Sequence, residues 1–123
     1  MFEIAIGDNV YQFNFGIGFM REINKTIQRP VDGINGVKED VGLMFAIAKI
    51  VDGDAVTLVD ALYLANKGRT PRVTKEILEK YIDSEDTDIE KLFKDVLDFL
   101  EKANATKKVT KKLLKVVEAQ ENK

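Results

Sequence analysis

The stretch that decides the fold is "YQFNFGIGFMREINK", residues Tyr11–Lys25. Its first half carries an aromatic residue at every second position: Tyr11, Phe13 and Phe15. This period of two predicts a strand with one buried face, and from Ile17 onward the apolar residues recur at helical spacing instead. Gly16 and Gly18 lie at the junction, where we expect them to let the backbone turn sharply from strand to helix without a steric clash.

The order of strand, glycine turn and helix is also the order found in dinucleotide-binding sites. Such a site needs a third glycine where this chain has Arg21, because helix and strand pack closely there. It also needs a parallel second strand that ends in an acid about 20 residues further on. Glu39 and Asp40 lie at about that distance, but the residues before them are rich in Gly and Pro and predict a loop. We therefore expect no nucleotide cofactor.

The residues before this stretch predict its partner strand. Phe2, Ile4 and Ile6 alternate with more polar or smaller residues, and the sequence Gly-Asp-Asn that follows supplies turn chemistry. The sequence therefore predicts an antiparallel hairpin over about residues 2–15. The first helix must stop before Pro30, and Arg29–Asp40 is predicted to be a loop.

Five further segments have helical periodicity: Val41–Val51, Ala55–Asn66, Val73–Asp83, Asp88–Ala103 and Lys107–Ala119. Asp54 and Thr74 are candidate N-caps, and Thr87–Glu90 reads as a capping box with Thr87 as the cap. The predicted fold is α+β, mostly α, with an N-terminal hairpin followed by about six helices. We expect one domain over residues 1–123, with a helical part at about 17–103 and a charged C-terminal helix at about 107–119.

The composition argues against most catalytic and metal sites. The 123 residues include no cysteine and no histidine, which removes thiolate chemistry, the commonest general base and the commonest zinc ligands. Ser84 is the single serine, so a hydrolase triad is absent. The acid-rich run Asp83–Glu90 lacks the glycine and the final glutamate of a calcium loop, and acids favoured at a helix start explain it better. We expect a protein that is not an enzyme and has no cofactor or metal.

The sequence also limits where the protein acts. No apolar run reaches the roughly 20 residues of a membrane span, and the first residues lack the basic leader of a signal peptide. The formal net charge of -2 gives no general attraction to nucleic acid or to an anionic membrane. We expect the protein to act inside the cell that makes it.

Charge is nevertheless distributed unevenly near the C-terminus. Asp83–Glu101 contains eight acids and two lysines, whereas residues 102–123 contain seven lysines and two glutamates. Lys107, Lys111 and Lys115 recur at i, i+4 spacing opposite apolar residues. Such a basic amphipathic helix is compatible with a small nucleic-acid-binding or regulatory protein, but it has no arginine and no aromatic residue for base contacts. The interpretation we favour is a solvated face whose charge complements the preceding acidic helix.

The second and third helical segments are apolar around almost their whole circumference. Only a narrow polar stripe near Gly42 and Lys49 remains on the second, and Leu64 projects into the stripe of Thr57, Asp60 and Lys67 on the third. A chain of this size can bury one such helix but hardly two. We therefore expect part of this apolar surface to bind a partner, and we predict five partner-binding residues: Leu43, Ile47, Ile50, Tyr63 and Leu64.

Four segments in this order carry a family resemblance: "FEIAIGDNVYQFNFGIGFMREI", "VGLMFAI", "GDAVTLVDALYLA" and "DIEKLFKDVLDFLEKANATKK". Together they resemble the small tail assembly chaperones of long-tailed phages of Gram-positive hosts. The matching residues are Phe13, Phe15, Gly16, Gly18, Phe19, Gly42, Leu43, Asp54, Leu58, Asp60, Leu62, Tyr63, Ala65, Leu92, Phe93, Val96, Leu97 and Leu100.

The resemblance implies a non-enzymatic role in the cytoplasm of the host cell. Proteins of this family coat the hydrophobic, helical tape measure protein while tail tube subunits assemble around it, and they are absent from the finished virion. The implied partners are the tape measure protein and the tail tube protein, with self-association as a further expectation. A structural tail completion protein is an alternative, beside the nucleic-acid-binding or regulatory protein considered above.

Overall fold

A computed structural model describes residues 1–121 of the chain. Its elements follow one another as β1 Phe2–Ile6, β2 Asn9–Phe13, α1 Ile17–Asn24, β3 Gln28–Pro30, β4 Lys38–Asp40, α2 Gly42–Val51, α3 Ala55–Ala65, α4 Lys75–Asp83, α5 Ile89–Lys102 and α6 Lys107–Glu121. The predicted fold class is confirmed: an N-terminal antiparallel hairpin precedes six helices, and the protein is α+β and mostly α.

The N-terminal hairpin closes with a two-residue turn. Ile6 pairs with Asn9, and Gly7 between them has a φ of 60° while Asp8 does not have a positive φ, which is the pattern of a type II′ turn. The alternation predicted from the sequence determines the buried face: Phe2, Ile4, Tyr11 and Phe13 point into the core, and Phe15 follows them. The hairpin thus covers one side of the helices with an aromatic layer.

Residues 25–40 differ from the prediction. The first helix was predicted to stop before Pro30, and α1 ends at Asn24, where Thr26 donates both its backbone N–H and its hydroxyl to the Ile23 carbonyl oxygen. The predicted loop contains a second short antiparallel hairpin, β3–β4. Each strand is only three residues long and exposed, so the hairpin has no hydrophobic alternation that would reveal it in the sequence.

The last turn of α1 packs closely against the first turn of α2. The Asn24 side-chain oxygen accepts a hydrogen bond from the Leu43 backbone N–H, so the end of one helix caps the start of the next. Gly42 lies at this contact, and a Cβ added there would come within 1.9 Å of the Ile23 carbonyl oxygen. By contrast, a Cβ added to Gly18 would meet nothing within 4 Å, and neither Gly16 nor Gly18 has a positive φ. The prediction that Gly18 avoids a Cβ clash was therefore wrong, and the tight approach is at Gly42.

The C-terminal end of α3 is tied to the hairpin by a buried polar residue. Asn66 is fully buried, and its Nδ2 donates to the Gln12 carbonyl oxygen at 2.9 Å while its Oδ1 accepts from the Val73 N–H at 2.7 Å. The Asn14 N–H also donates to the Ala65 carbonyl oxygen at 2.8 Å. These bonds satisfy backbone groups of β2 and of the segment before α4, which would otherwise be buried without partners.

Two of the three N-cap residues predicted from the sequence are confirmed. Asp54 and Thr74 accept the predicted hydrogen bonds from the N–H groups three residues later. The capping box at Thr87–Glu90 was wrong, because Asp88 caps α5 through the Lys91 N–H and the Thr87 hydroxyl donates instead to the Tyr81 carbonyl oxygen. Thr87 therefore closes the end of α4 rather than opening α5.

One cluster of buried apolar side chains draws on the N-terminal hairpin and on α1 to α5, and the α6 residues Val109 and Leu113 pack against its edge. Two buried threonines hold the start of α6: the Thr106 hydroxyl donates to the Leu100 carbonyl oxygen, and the Thr110 hydroxyl donates to that of Thr106. Within residues 1–121, none of the helices has the length and apolar character needed to span a membrane.

Candidate partner-binding site

The five residues predicted to bind a partner occupy two different environments. Leu43, Ile47 and Ile50 lie on the inner face of α2 and are only 1–2% exposed, each within this chain's own core. Tyr63 and Leu64, on α3, are partly buried and pack against the core from its edge. A partner reaches the first three only if α2 moves away from the core, so their binding role stays a prediction, whereas Leu64 opens onto the surface.

Tyr63 is held on one side of α3 by two cations. The Arg72 guanidinium lies 4.0 Å from the centre of the Tyr63 ring, and the Lys75 ammonium lies 5.3 Å from it. Arg72 also donates to the Tyr63 carbonyl oxygen at 2.6 Å. These contacts attach the segment before α4 to α3, so the immediate role of Tyr63 is to join these parts of the chain.

Leu64 opens into a groove between the end of α1, α2 and α3, which we call the α2–α3 groove. Its volume is 230 Å³, and Ile23, Gly42 and Ala46 form its buried floor. The residues around that floor are Thr26, Ile27, Phe45, Lys49, Thr57, Asp60 and Leu64. Two large apolar side chains remain open to solvent there, because Ile27 is 37% and Phe45 is 39% exposed.

The groove is formed by the polar stripes of the two apolar helices. The sequence places Gly42 and Lys49 on the stripe of α2, and it places Thr57 and Asp60 on that of α3 beside Leu64; the structure brings these stripes face to face. Phe45 was missed as a surface residue because α2 is apolar nearly all round. Its position three residues after Gly42 and four before Lys49 is the signal that would have assigned it to the stripe.

Charges lie only at the rim of the groove. The Asp60 carboxylate pairs with the Lys75 ammonium at 3.1 Å. Lys49 is near Asp54, whose pKa is held below its ordinary value mainly by the hydrogen bond from the Thr57 N–H, with a smaller contribution from the Lys49 charge. In the part of the chain that the structure describes, no group of three or more Asp or Glu residues is placed to hold a metal ion. The arrangement is therefore suited to covering an apolar surface.

The lysine-rich helix α6 presents its charges separately from the acidic helix. Two acids of α5 pair with lysines of the same helix, Asp95 with Lys91 at 2.6 Å and Asp98 with Lys94 at 3.2 Å. Over residues 1–121, no ion pair joins α5 to α6. The favoured interpretation, in which the lysines complement the acidic helix, is thus not realised through direct contacts.

A model of a protein family matches most of the chain. The family model described as "Phage tail assembly chaperone protein, TAC" matches residues 3–115, which include all of the N-terminal hairpin except Phe2, the α2–α3 groove and more than half of α6. No curated protein and no solved structure matches the chain.

Proposed function

This chain belongs to the family of phage tail assembly chaperones, and on that premise we propose that it binds the tape measure protein and keeps it soluble while the tail tube assembles. The family implies that the chain binds a tail protein. The observation that carries the choice of partner is the α2–α3 groove, where Ile27, Phe45 and Leu64 offer apolar surface to a second molecule. A groove of this kind accepts the apolar face of an amphipathic helix. The resemblance to chaperones of long-tailed phages implies such a partner, because the tape measure protein that they coat is hydrophobic and helical.

Further parts of the proposal follow from the same family role. We propose that the chain acts without catalysis in the cytoplasm of the host cell, that it is absent from the finished virion, and that the tail tube protein is a second partner. Self-association on the tape measure protein belongs to the same proposal, because coating a long helical protein requires many copies side by side. Leu43, Ile47 and Ile50 would join the binding surface if α2 swings outward when the partner binds.

The proposal is tested by co-expression with a fragment of the tape measure protein from the same phage. We expect the fragment to be insoluble alone and soluble with this chain. Phe45→Asp is expected to reduce the soluble yield of the fragment at least threefold, because the new carboxylate must lose water when an apolar helix covers it. Phe45 is already 39% exposed, so circular dichroism of the variant should remain that of a folded protein.

Val56→Asp is the matched control. Val56 is 73% exposed on α3 and lines a different hollow, between α3 and α4, so an aspartate there should leave the soluble yield unchanged. If the unmodified chain does not solubilise the fragment, the proposed function is wrong. If it does and Phe45→Asp works equally well, the function stands and the α2–α3 groove is not the binding site.

A further inference from the structure

The N-terminal hairpin has one strand edge that is covered and one that is not. Ile6 and Asn9 flank the two-residue turn and therefore form a hydrogen-bonded pair, which makes Ile4–Tyr11 and Phe2–Phe13 hydrogen-bonded pairs as well. The residues between them, Glu3 and Ala5, consequently point their backbone N–H and C=O groups away from β2. Two residues of β1 thus offer free backbone donors and acceptors along its outer edge.

The other strand confirms this alternation. By the same rule the backbone N–H and C=O groups of Gln12 point away from β1. The Gln12 carbonyl oxygen accepts a hydrogen bond from the Asn66 side chain at 2.9 Å. The backbone N–H of Asn14 also points away from β1, and it donates to the Ala65 carbonyl oxygen. Among residues 1–121, no hydrogen bond from outside the hairpin reaches the backbone of Glu3 or Ala5. The edge of β2 is therefore covered by the end of α3, whereas the edge of β1 is open.

A trough runs along that open edge. Two hollows of 510 Å³ and 330 Å³ share Ala5, Tyr81 and Asp88, so they form one trough along β1 from Phe2 to Gly7. The end of α4 and the first turns of α5 form its opposite wall. These volumes lie within the roughly 300–1,000 Å³ typical of ligand sites. We call this feature the β1 trough.

The β1 trough is acidic. Its lining includes four carboxylates, on Glu3, Asp86, Asp88 and Asp95. Its two cations are already engaged, since Lys80 pairs with Glu76 at 3.2 Å and Lys91 pairs with Asp95 at 2.6 Å. The hydrogen bond and charge of Asp95 also raise the pKa of Lys91. The charge left unbalanced in the trough is negative, which favours a ligand with basic side chains.

We propose that the β1 trough binds an extended peptide segment of a partner protein, which adds a third strand beside β1 and directs lysine or arginine side chains toward the acidic wall. The added strand gains affinity from hydrogen bonds to the free N–H and C=O groups of Glu3 and Ala5. It gains selectivity from the fit of its side chains in the trough. A second copy of this chain is disfavoured as the occupant, because pairing two β1 edges would bring two acidic troughs together. This inference is independent of the tape measure proposal, since the β1 trough shares no lining residue with the α2–α3 groove and its ligand is extended.

The probe is a synthetic seven-residue peptide of alternating valine and lysine, measured by titration calorimetry against the intact protein at low salt. Two N-methylated versions separate strand addition from simple charge attraction. Methylating the amides of alternate residues that face β1 removes donors to the strand and is expected to weaken binding about tenfold or more. Methylating the intervening amides leaves those donors intact and should preserve binding if the peptide pairs as a strand; equal binding of both versions would overturn the proposal.

Protein variants test the same contact from the other side. Ala5→Pro removes one outward N–H that has no partner in the fold, and proline is tolerated where the N–H of an edge strand faces solvent. We expect it to abolish peptide binding, while Ala5→Ser, which keeps the N–H, should bind as the parent does. Asp86→Lys should weaken binding and reduce its salt dependence.

Two other outcomes would also overturn the proposal. One is unchanged binding to Ala5→Pro. The other is a dimer of the free protein that Ala5→Pro dissociates, which would show that a second copy occupies the edge. If Ala5→Pro fails to fold, the comparison of the two N-methylated peptides on the parent protein decides the question.

Discussion

At the first turn of α2, Gly42 lies against the last turn of α1, where a Cβ would sit 1.9 Å from the Ile23 carbonyl oxygen and 2.6 Å from the Thr26 hydroxyl oxygen. The first of these neighbours is backbone, which cannot turn aside as a flexible side chain does. Gly42 also lies on the floor of the α2–α3 groove. Gly42 thus sets the spacing of α1 and α2 and also forms part of the floor of the α2–α3 groove.

We predict that Gly42→Ala destabilises the protein by about 3 kcal/mol or more, because α1 and α2 must separate to admit the methyl group. The measurement is the free energy of unfolding from urea denaturation. Gly18→Ala is the matched control, since it lies within α1 with nothing near its added Cβ, and it should be neutral or stabilise by up to about 1 kcal/mol. Equal effects of the two substitutions would show that the close approach at Gly42 does not exist.

A second prediction at the residue scale concerns acid. The pKa of Asp54 lies below its ordinary value of 3.8 because the ionised carboxylate accepts the Thr57 N–H at the start of α3. With a lowered folded-state pKa, the stabilisation is complete above the ordinary pKa and is lost as the pH falls through the folded value. Asp54→Asn keeps the cap without the ionisation.

We therefore expect the parent to have a higher urea midpoint than Asp54→Asn at pH 7 and to lose that advantage progressively as the pH falls below 3.8, the ordinary pKa of the carboxyl group. Comparing the difference between the two proteins removes the contribution of the other carboxylates, which titrate in both. A difference that stays constant with pH would contradict the role given to the ionised Asp54.

At the scale of elements, α3 shows how one helix serves two purposes. Leu58, Ala61 and Leu62 are completely buried, while Leu64 lies at the edge of the core and opens into the α2–α3 groove. The sequence places Leu64 on the polar stripe of α3, and in the structure Leu64 lines the groove beside Thr57 and Asp60 while also packing against the edge of the core.

We predict that Leu62→Asp unfolds the protein, because an unpaired charge in this position costs about 4 kcal/mol or more. Leu64→Asp should cost about 1–3 kcal/mol and leave a folded protein, since its carboxylate can reach water through the groove. Circular dichroism and urea denaturation of both variants provide the measurement. A Leu64→Asp protein that is unfolded would place this side chain in the core and remove it from any binding surface.

At the scale of the whole molecule, acidic and basic residues are nearly balanced but separated in space. The formal net charge is -2, yet α6 carries five lysines: Lys107, Lys108, Lys111, Lys112 and Lys115. The field of the molecule as a whole therefore opposes the attraction that this single helix exerts on a polyanion.

The one-domain organisation over residues 1–123 stays a prediction, and it is consistent with the buried cluster that α1 to α5 share with the hairpin.

We predict that the protein does not bind duplex DNA more tightly than about 100 µM at near-physiological salt. The measurement is fluorescence anisotropy of a labelled duplex over a range of salt concentrations. Tight binding that falls steeply as salt rises, and that Lys111→Glu weakens, would contradict this prediction and support the nucleic-acid-binding alternative. Lys25→Glu, outside α6, is the control for a general change of charge.

The sequence by itself determined the features that depend on local periodicity and chemistry. The N-terminal hairpin follows from alternating apolar residues and a Gly-Asp turn, and five of the six helices begin and end within a few residues of the prediction. The caps at Asp54 and Thr74 also followed from residue type alone. In each case the information lies within a few residues, so a single sequence contains it.

Only the tertiary structure decided how those elements meet. The short exposed strands β3 and β4 have no apolar pattern, and the early end of α1 depends on hydrogen bonds around Ile23. The inward orientation of Leu43, Ile47 and Ile50 could not be read from α2, because a helix that is apolar all round does not reveal which side faces the core. The α2–α3 groove likewise depends on two stripes that are adjacent in space, and the close contact at Gly42 places the end of α1 beside them.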